Sequence, residues 1–160
     1  MARLAPKFVP PGIGPVLNGP GGDISIPKIM ATETADRLSV TEHTVMPLSG
    51  PPLHVHSRED EAFWVLDGEV AFWVDGKKIV ASAGSFVFGP RGVPHTFRNL
   101  RSQPSRMLLV VTPPSNFEEF YSKIGGPRED GTAPSEAEVI ERIVRHAPGH
   151  GIEILGPSPL

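Results

Sequence analysis

GPPLHVHSREDEAFWVLDG, residues 50–68, and GSFVFGPRGVPHTFRN, residues 84–99, decide the reading of this chain. Strand side chains alternate faces, so His54 and His56 point the same way with Val55 opposite. Glu61 shares parity with Phe63 and Val65, and His95 with Phe97 and Asn99. If those faces turn inward, three imidazoles and one carboxylate enter one cavity. Pro51 and Pro52 ahead of the His pair, and Pro90, Gly92 and Pro94 ahead of His95, fix the flanking loops. Such a donor set suits one divalent transition metal among Fe, Mn, Ni, Co, Cu and Zn. Four protein ligands leave a position open on a five- or six-coordinate metal, which chemistry requires; a closed tetrahedral zinc site would be structural. A His-x-His pair alone is weak evidence, and a lone strand histidine is usually structural. The pair, Glu61 and a downstream Pro-x-Gly-x-x-His rarely coincide by accident.

Outward from these stretches the chain reads as short strands. Ile24 to Thr32 and Arg37 to Met46 precede them, with Pro47 ending the second. Glu61 to Leu66 and Glu69 to Val74 flank Asp67-Gly68, and Lys77 to Ala81 follows Asp75-Gly76. Asp-Gly between β-rich runs predicts type I′ hairpins. Ser85 to Phe88, His95 to Leu100 and Arg106 to Thr112 complete the series. Short strands at this spacing predict an antiparallel sandwich or barrel. The period then changes. Ser115 and Glu118 suit a capping box, and Phe117, Phe120, Tyr121 and Ile124 form one face of a short helix closed by Gly125. A second helix is expected from about Ser135 to His146, its acidic residues first and its basic residues last. Ile152 to Leu155 could return as a brief edge strand. The expected organisation is an irregular Pro/Gly-rich arm over 1–22, a barrel over 23–114, and a helical extension over 115–160 packed on it.

Composition narrows the function. The chain has 160 residues, 17 Gly, 19 Pro and no cysteine. The glycines and prolines, among ample Val, Ile and Phe, indicate many turns rather than disorder. Without cysteine there are no disulfides, thiolate metal sites or cysteine nucleophiles. A net charge of −3 with mixed signs argues against nucleic acid as a partner. No apolar run approaches a membrane span, and the N-terminus lacks a signal-peptide core. A cytoplasmic protein with no membrane partner is expected.

The two motifs resemble those of the cupin superfamily, in its small single-domain form. His54, His56, Glu61 and Gly68 match the first motif at permitted spacings; Gly84, Pro90, Gly92, His95 and Asn99 match every position of the second. One departure is that the family's leading Gly falls on Leu48, with Gly50 two residues late. The resemblance implies an all-β fold, a double-stranded β-helix or jelly-roll barrel with one or two short C-terminal helices, often a homodimer. It also implies His54, His56, Glu61 and His95 as metal ligands. More weakly, TPPSNFEEFYSKIG and the segment after it resemble quercetin 2,3-dioxygenase-like bacterial cupins.

The leading functional expectation is a metal-dependent oxygenase for a small aromatic or enolic substrate, with Glu61 as both ligand and catalytic base. The alternatives are a non-oxidative isomerase, cyclase or lyase, and a non-enzymatic ligand-binding cupin. Phe63, Val65, Phe72, Val74, Val87 and Phe97 are candidate lining residues, although such residues are core by default. Trp64 and Trp73 read as packing between sheets or at a dimer interface. His43 reads as structural but able to face the cavity. Arg58, Glu59 and Asp60 read as a solvated loop, His146 and His150 as a helix-end charge and a solvated loop residue. Arg91 and Arg98 are candidate rim anchors for an acidic substrate. Glu42 is a weak candidate for an inward contact, and Ser49, Ser57 and Ser85 have no triad context.

Overall fold

The computed structural model describes residues 3–160, so Met1 and Ala2 of the expected arm lie outside it. Among the described residues eleven strands form two antiparallel sheets, as expected for a jelly-roll barrel. The first sheet has six: β1 (Leu17–Asn18), β2 (Ile24–Ile29), β3 (Ser39–Val45), β5 (Asp60–Asp67), β8 (Phe86–Gly89) and β10 (Ser105–Thr112). Their order is β1-β2-β3-β10-β5-β8. The second runs β11-β4-β9-β6-β7 and contains β4 (Leu53–His56), β6 (Glu69–Val74), β7 (Lys77–Ser82), β9 (His95–Arg98) and β11 (Ile152–Gly156). The arm is therefore not wholly irregular, because Leu17 and Asn18 pair with Ser25 and Ile24. The suggested return strand exists and is an edge, Ile152 opposite His56 and Ile154 opposite His54.

Only one of the two Asp-Gly hairpins forms. Asp75 and Gly76 both take positive φ (47° and 79°), as a type I′ turn demands, and join β6 to β7. At Asp67-Gly68 only Gly68 does (φ 75°), and the chain bends from one sheet into the other. A Cβ at Gly68 would meet the Ser105 side chain, whose hydroxyl bridges to the backbone of Glu69. This corner therefore makes a crossover, because its second strand pairs with β7 and β9.

Between the sheets lies one apolar core. β5 alternates buried Glu61, Phe63 and Val65 with outward Ala62, Trp64 and Leu66. Phe63, Phe72 and Phe97 pack ring on ring at centroid separations of 5.1–6.1 Å, with Met107, Leu109 and Val111 of β10 beside them. Trp64 does not pack between the sheets. It is 53% exposed on the outer face with Phe86 and Phe88, which leaves the interface alternative for it.

Two helices follow the barrel, α1 (Phe117–Gly125) and α2 (Glu136–His146). Phe120, Ile124, Val139, Ile143, Ala147 and Ile152 form a second apolar cluster that seats them against β11. Ser135 and Glu138 cap α2 reciprocally. The box expected for α1 is absent: Ser115 and Asn116 take positive φ, Asn116 is the N-cap without a side-chain bond, and Glu118 instead accepts from the Ala31 N–H at 2.6 Å. Among the described residues no helix is long and apolar enough to cross a membrane.

Candidate metal centre

All four expected ligands meet at one point. His54 and His56 enter from β4, Glu61 from β5 and His95 from β9, where His95 lies directly opposite His54. One donor atom from each lies within 4.8 Å of every other, and all four side chains are buried. Two sheets thus supply the site from facing walls of the barrel.

The outward ring nitrogens define the inward ones. His54 Nδ1 lies 2.9 Å from the Pro52 carbonyl, His95 Nδ1 2.9 Å from the Val93 carbonyl, and His56 Nδ1 3.1 Å from Glu59 Oε2. A carbonyl or carboxylate oxygen only accepts, so each Nδ1 carries hydrogen and donates. In the neutral rings each Nε2 therefore presents a lone pair to the centre. His95 Nε2 and His56 Nε2 lie 2.8 and 3.5 Å from Glu61 Oε2, itself an acceptor. Lone pair against lone pair at these distances is repulsive unless a proton or a metal lies between. Two atoms each about 2.1 Å from one metal and 90° apart are about 3 Å from each other. The donor set fits a divalent transition metal without rearrangement of its tautomers.

Burial and mutual charge set the protonation of the metal-free cluster. Burial, then the neighbouring His95 and His56, push His54 down to about 3. Burial pushes Glu61 up, but His56, His95 and His54 overcome it and hold the carboxyl at about 2. Burial lowers His95 as well, yet the Glu61 carboxylate bonded to it outweighs that and raises its pKa. Between His54 and His95 the environment therefore favours the charged form of His95. The depressed His54 stays neutral in the fold while an unfolded chain protonates it near the ordinary value of 6.5, so stability is lost as pH falls from about 6.5 toward 3. Glu61 adds loss in the same direction from 4.5 down to about 2. His95 opposes them: its contribution is complete below 6.5 and fades as pH rises through its folded value. The urea midpoint of metal-free protein is expected to fall between pH 7 and pH 4; an unchanged or higher midpoint at pH 4 would contradict these assignments.

Several charged residues sit elsewhere than expected. Glu59 is not a solvated loop residue: it is 1% exposed and holds His56 from behind. A carboxylate behind a ligating imidazole fixes the ring and raises its basicity. The only hint in the sequence was its place three residues after His56, inside a run that looked like a solvated loop. Asp60 opens β5 and pairs with Arg91 at 2.6 Å, and the Arg98 guanidinium donates to the Leu160 carbonyl at 3.1 Å. Both arginines are thereby engaged rather than poised at a rim. Glu42 pairs with Lys28 and Arg106 instead of pointing inward. His150 is buried against Phe120 and bonds the His146 carbonyl through Nδ1 at 2.9 Å.

The motif departure at Leu48 has a local outcome. Leu48 itself takes φ 60°, the conformation that favours glycine. Its N–H donates to the Asn99 carbonyl, the Asn99 N–H to the Ser49 carbonyl, and Asn99 Nδ2 to the Val45 carbonyl. Gly50 is required next, because a Cβ there would overlap the Phe97 carbonyl. Asn99 of the second motif thus clamps the loop that leads into the first.

His54, His56 and Glu61 open onto a cavity of about 60 Å³. Of the expected lining residues only Phe97 faces it; Phe63, Val65, Phe72 and Val87 are core, and Val74 packs on that core. The other walls are Leu109, His43, Asp23, the prolines at 20, 51 and 52, and the cap: Phe117, Phe120, Tyr121, Ile124, Ile143 and the two isoleucines of β11.

Comparison with known proteins agrees with this architecture. A family model described as a cupin domain matches residues 41–111. Quercetin 2,3-dioxygenase of Bacillus subtilis (strain 168) is 29% identical over 106 residues, which cover 65% of this chain; the chain spans only 31% of that enzyme. The polyketide cyclase RemF from Streptomyces resistomycificus superposes with a TM-score of 0.60 at 26% identity, over 68% of this chain and 80% of that one. KdgF from Halomonas sp. superposes at 0.61 with 16% identity, over 68% of this chain and 94% of that one, a likeness of fold alone.

Proposed function

We propose, from the premise that this chain carries a cupin domain, that it is a metal-dependent oxygenase for a small aromatic or enolic substrate. The observation that carries this is the convergence of three Nε2 lone pairs and the Glu61 carboxylate beside a largely apolar cavity. The similarity to quercetin 2,3-dioxygenase supports it.

His54, His56, Glu61 and His95 would hold the metal, which supplies Lewis acidity toward a substrate oxygen and, in redox-active form, access to oxygen chemistry. The protein does the rest. Pro52, Val93 and Glu59 hold the three rings in one tautomer. The cap residues Phe117, Phe120 and Ile143 line the cavity with apolar groups, which limits contact with bulk water and strengthens each electrostatic contact inside. Glu61 is the one carboxylate in the cluster, and a substrate oxygen at the centre would have it as its nearest proton acceptor. The cavity admits a handful of waters or one ring, not a fused polycycle unless α1 and α2 shift.

RemF favours a second reading, in which the same centre acts without oxygen on an enolic substrate. Oxygen uptake separates the two. Protein loaded in turn with Fe(II), Mn(II), Ni(II), Co(II), Cu(II) and Zn(II) is given catechols and β-diketones in an oxygen-electrode cell, with substrate followed in parallel. The expected result is stoichiometric oxygen consumption with at least one redox-active metal and none with zinc. Substrate conversion without oxygen consumption supports the second reading; neither change overturns both.

A further inference from the structure

Three neighbouring strands of the first sheet are apolar on both faces. β10 reads Met107-Leu108-Leu109-Val110-Val111, β5 Phe63-Trp64-Val65-Leu66 and β8 Phe86-Val87-Phe88. A strand that shows one face to water alternates apolar with polar residues, whereas unbroken apolar runs mark strands covered on both sides. The core accounts for the inner parity: Phe63, Val65, Val87, Met107, Leu109 and Val111. The outer parity forms two rows across the sheet. Leu108, Trp64 and Phe86 lie opposite one another in the first, and Val40, Val110, Ala62 and Phe88 in the second. Trp64 and Phe86 meet edge to face at 6.4 Å. Trp64, Leu66, Phe86 and Phe88 are 40–59% exposed, so nothing among the described residues covers them.

Size and charge point to what covers this face. Those four side chains expose roughly 400 Å², from the 150–250 Å² of an aromatic side chain, before the half-buried Val40, Ala62, Leu108 and Val110 are added. Strands β3, β10, β5 and β8 lie about 4.8 Å apart, and β10 and β5 have 8 residues each, so the face measures roughly 20 by 25 Å. As accessible surface that approaches the about 800 Å² that each partner of a stable dimer buries. The rim is polar and already paired, Glu42 with Lys28 and Arg106 at one end, Asp60 with Arg91 at the other. An apolar centre inside a polar rim is the anatomy of a protein interface. An isologous contact sets the same patch against itself, and paired rims bring ion pairs together rather than isolated like charges. The same pairing occupies the cations that an anionic lipid surface would use.

We propose that the outer face of β3, β10, β5 and β8 binds the same face of a second copy of this chain, with Trp64, Phe86 and Phe88 as its anchors. Two sheets packed face to face lie about 10 Å apart with their strands crossed by about 30°. The exposed rings of the two rows leave water on association, which supplies the driving force. Glu61 of β5 points to the opposite side of that sheet, so the metal ligands take no part in the contact. The proposal therefore stands apart from the metal-centre reading.

Sedimentation equilibrium of the full chain decides it. Wild type is expected to sediment at twice the chain mass at micromolar concentration. Trp64→Glu and Phe86→Glu are each expected to raise the dimer dissociation constant by at least about 30-fold, the effect of losing a central aromatic anchor. Val80→Glu, at a comparably exposed residue on the outer face of the other sheet, is expected to leave it unchanged. Circular dichroism checks that each variant folds. A second readout places the contact. The tryptophan emission of wild type is expected to shift to the red on dilution through the dissociation, and Trp64→Phe, which keeps only Trp73, to lose that shift. Should a Glu variant fail to fold, the emission shift decides. A monomer at every concentration overturns the proposal, whatever else that face then binds. So does a dimer as tight in Trp64→Glu and Phe86→Glu as in wild type, or an emission shift that Trp64→Phe retains.

Discussion

His56→Ala and His95→Ala are each expected to bind metal more than about 100-fold more weakly than wild type, beyond the 10–100-fold that loss of an outer partner costs. Each removes one Nε2 donor and leaves Glu61 beside an incomplete set. The strands should survive, because β4 and β9 are held by their neighbours in the sheet rather than by the rings. Glu59→Ala grades the effect. It leaves four ligands but frees the His56 ring, and a loss of about 10–100-fold is expected. Titration with a competing chelator, with circular dichroism as the check on folding, measures all three. Equal affinity in parent and His variants would remove the ligand assignment.

Phe63→Ala is expected to cost about 3–5 kcal/mol, the range for emptying a buried aromatic site. Phe63 is 1% exposed and packs against Phe72 and Phe97, with the His95 ring 6.4 Å away. Strands on both sides fix the backbone around it, so collapse into the vacancy is limited. For a chain of this length the melting temperature should fall by roughly 6–20 °C. Val80→Ala, at a residue 56% exposed on β7, should change stability by no more than about 0.5 kcal/mol. Equal melting temperatures for the two variants would contradict the placement of the core.

The convergence of the four side chains was legible because period-two alternation and motif spacing are local properties. His54, His56, Glu61 and His95 needed no knowledge of which strands pair. What failed depended on partners distant in sequence. Asp67-Gly68 has hairpin chemistry, yet its strands belong to different sheets because β5 finds β8 and β10. Phe63 and Phe97 are on strands of equal alternation and both belong to the core, yet only Phe97 also reaches the cavity wall. Glu59 lies in a charged run that looks solvated until the backbone turns it under His56. His43 contacts Ser25 and Asp23 across a β2–β3 register that composition does not reveal.

A crystal structure of metal-loaded protein, with anomalous differences collected at the metal edge, goes straight to the centre itself. One peak is expected, bonded at about 2.0–2.2 Å to Nε2 of residues 54, 56 and 95 and to the Glu61 carboxylate, with at least one coordination position left to solvent. Density showing the cation elsewhere on the chain, or those four side chains turned away from any shared ion, would contradict it.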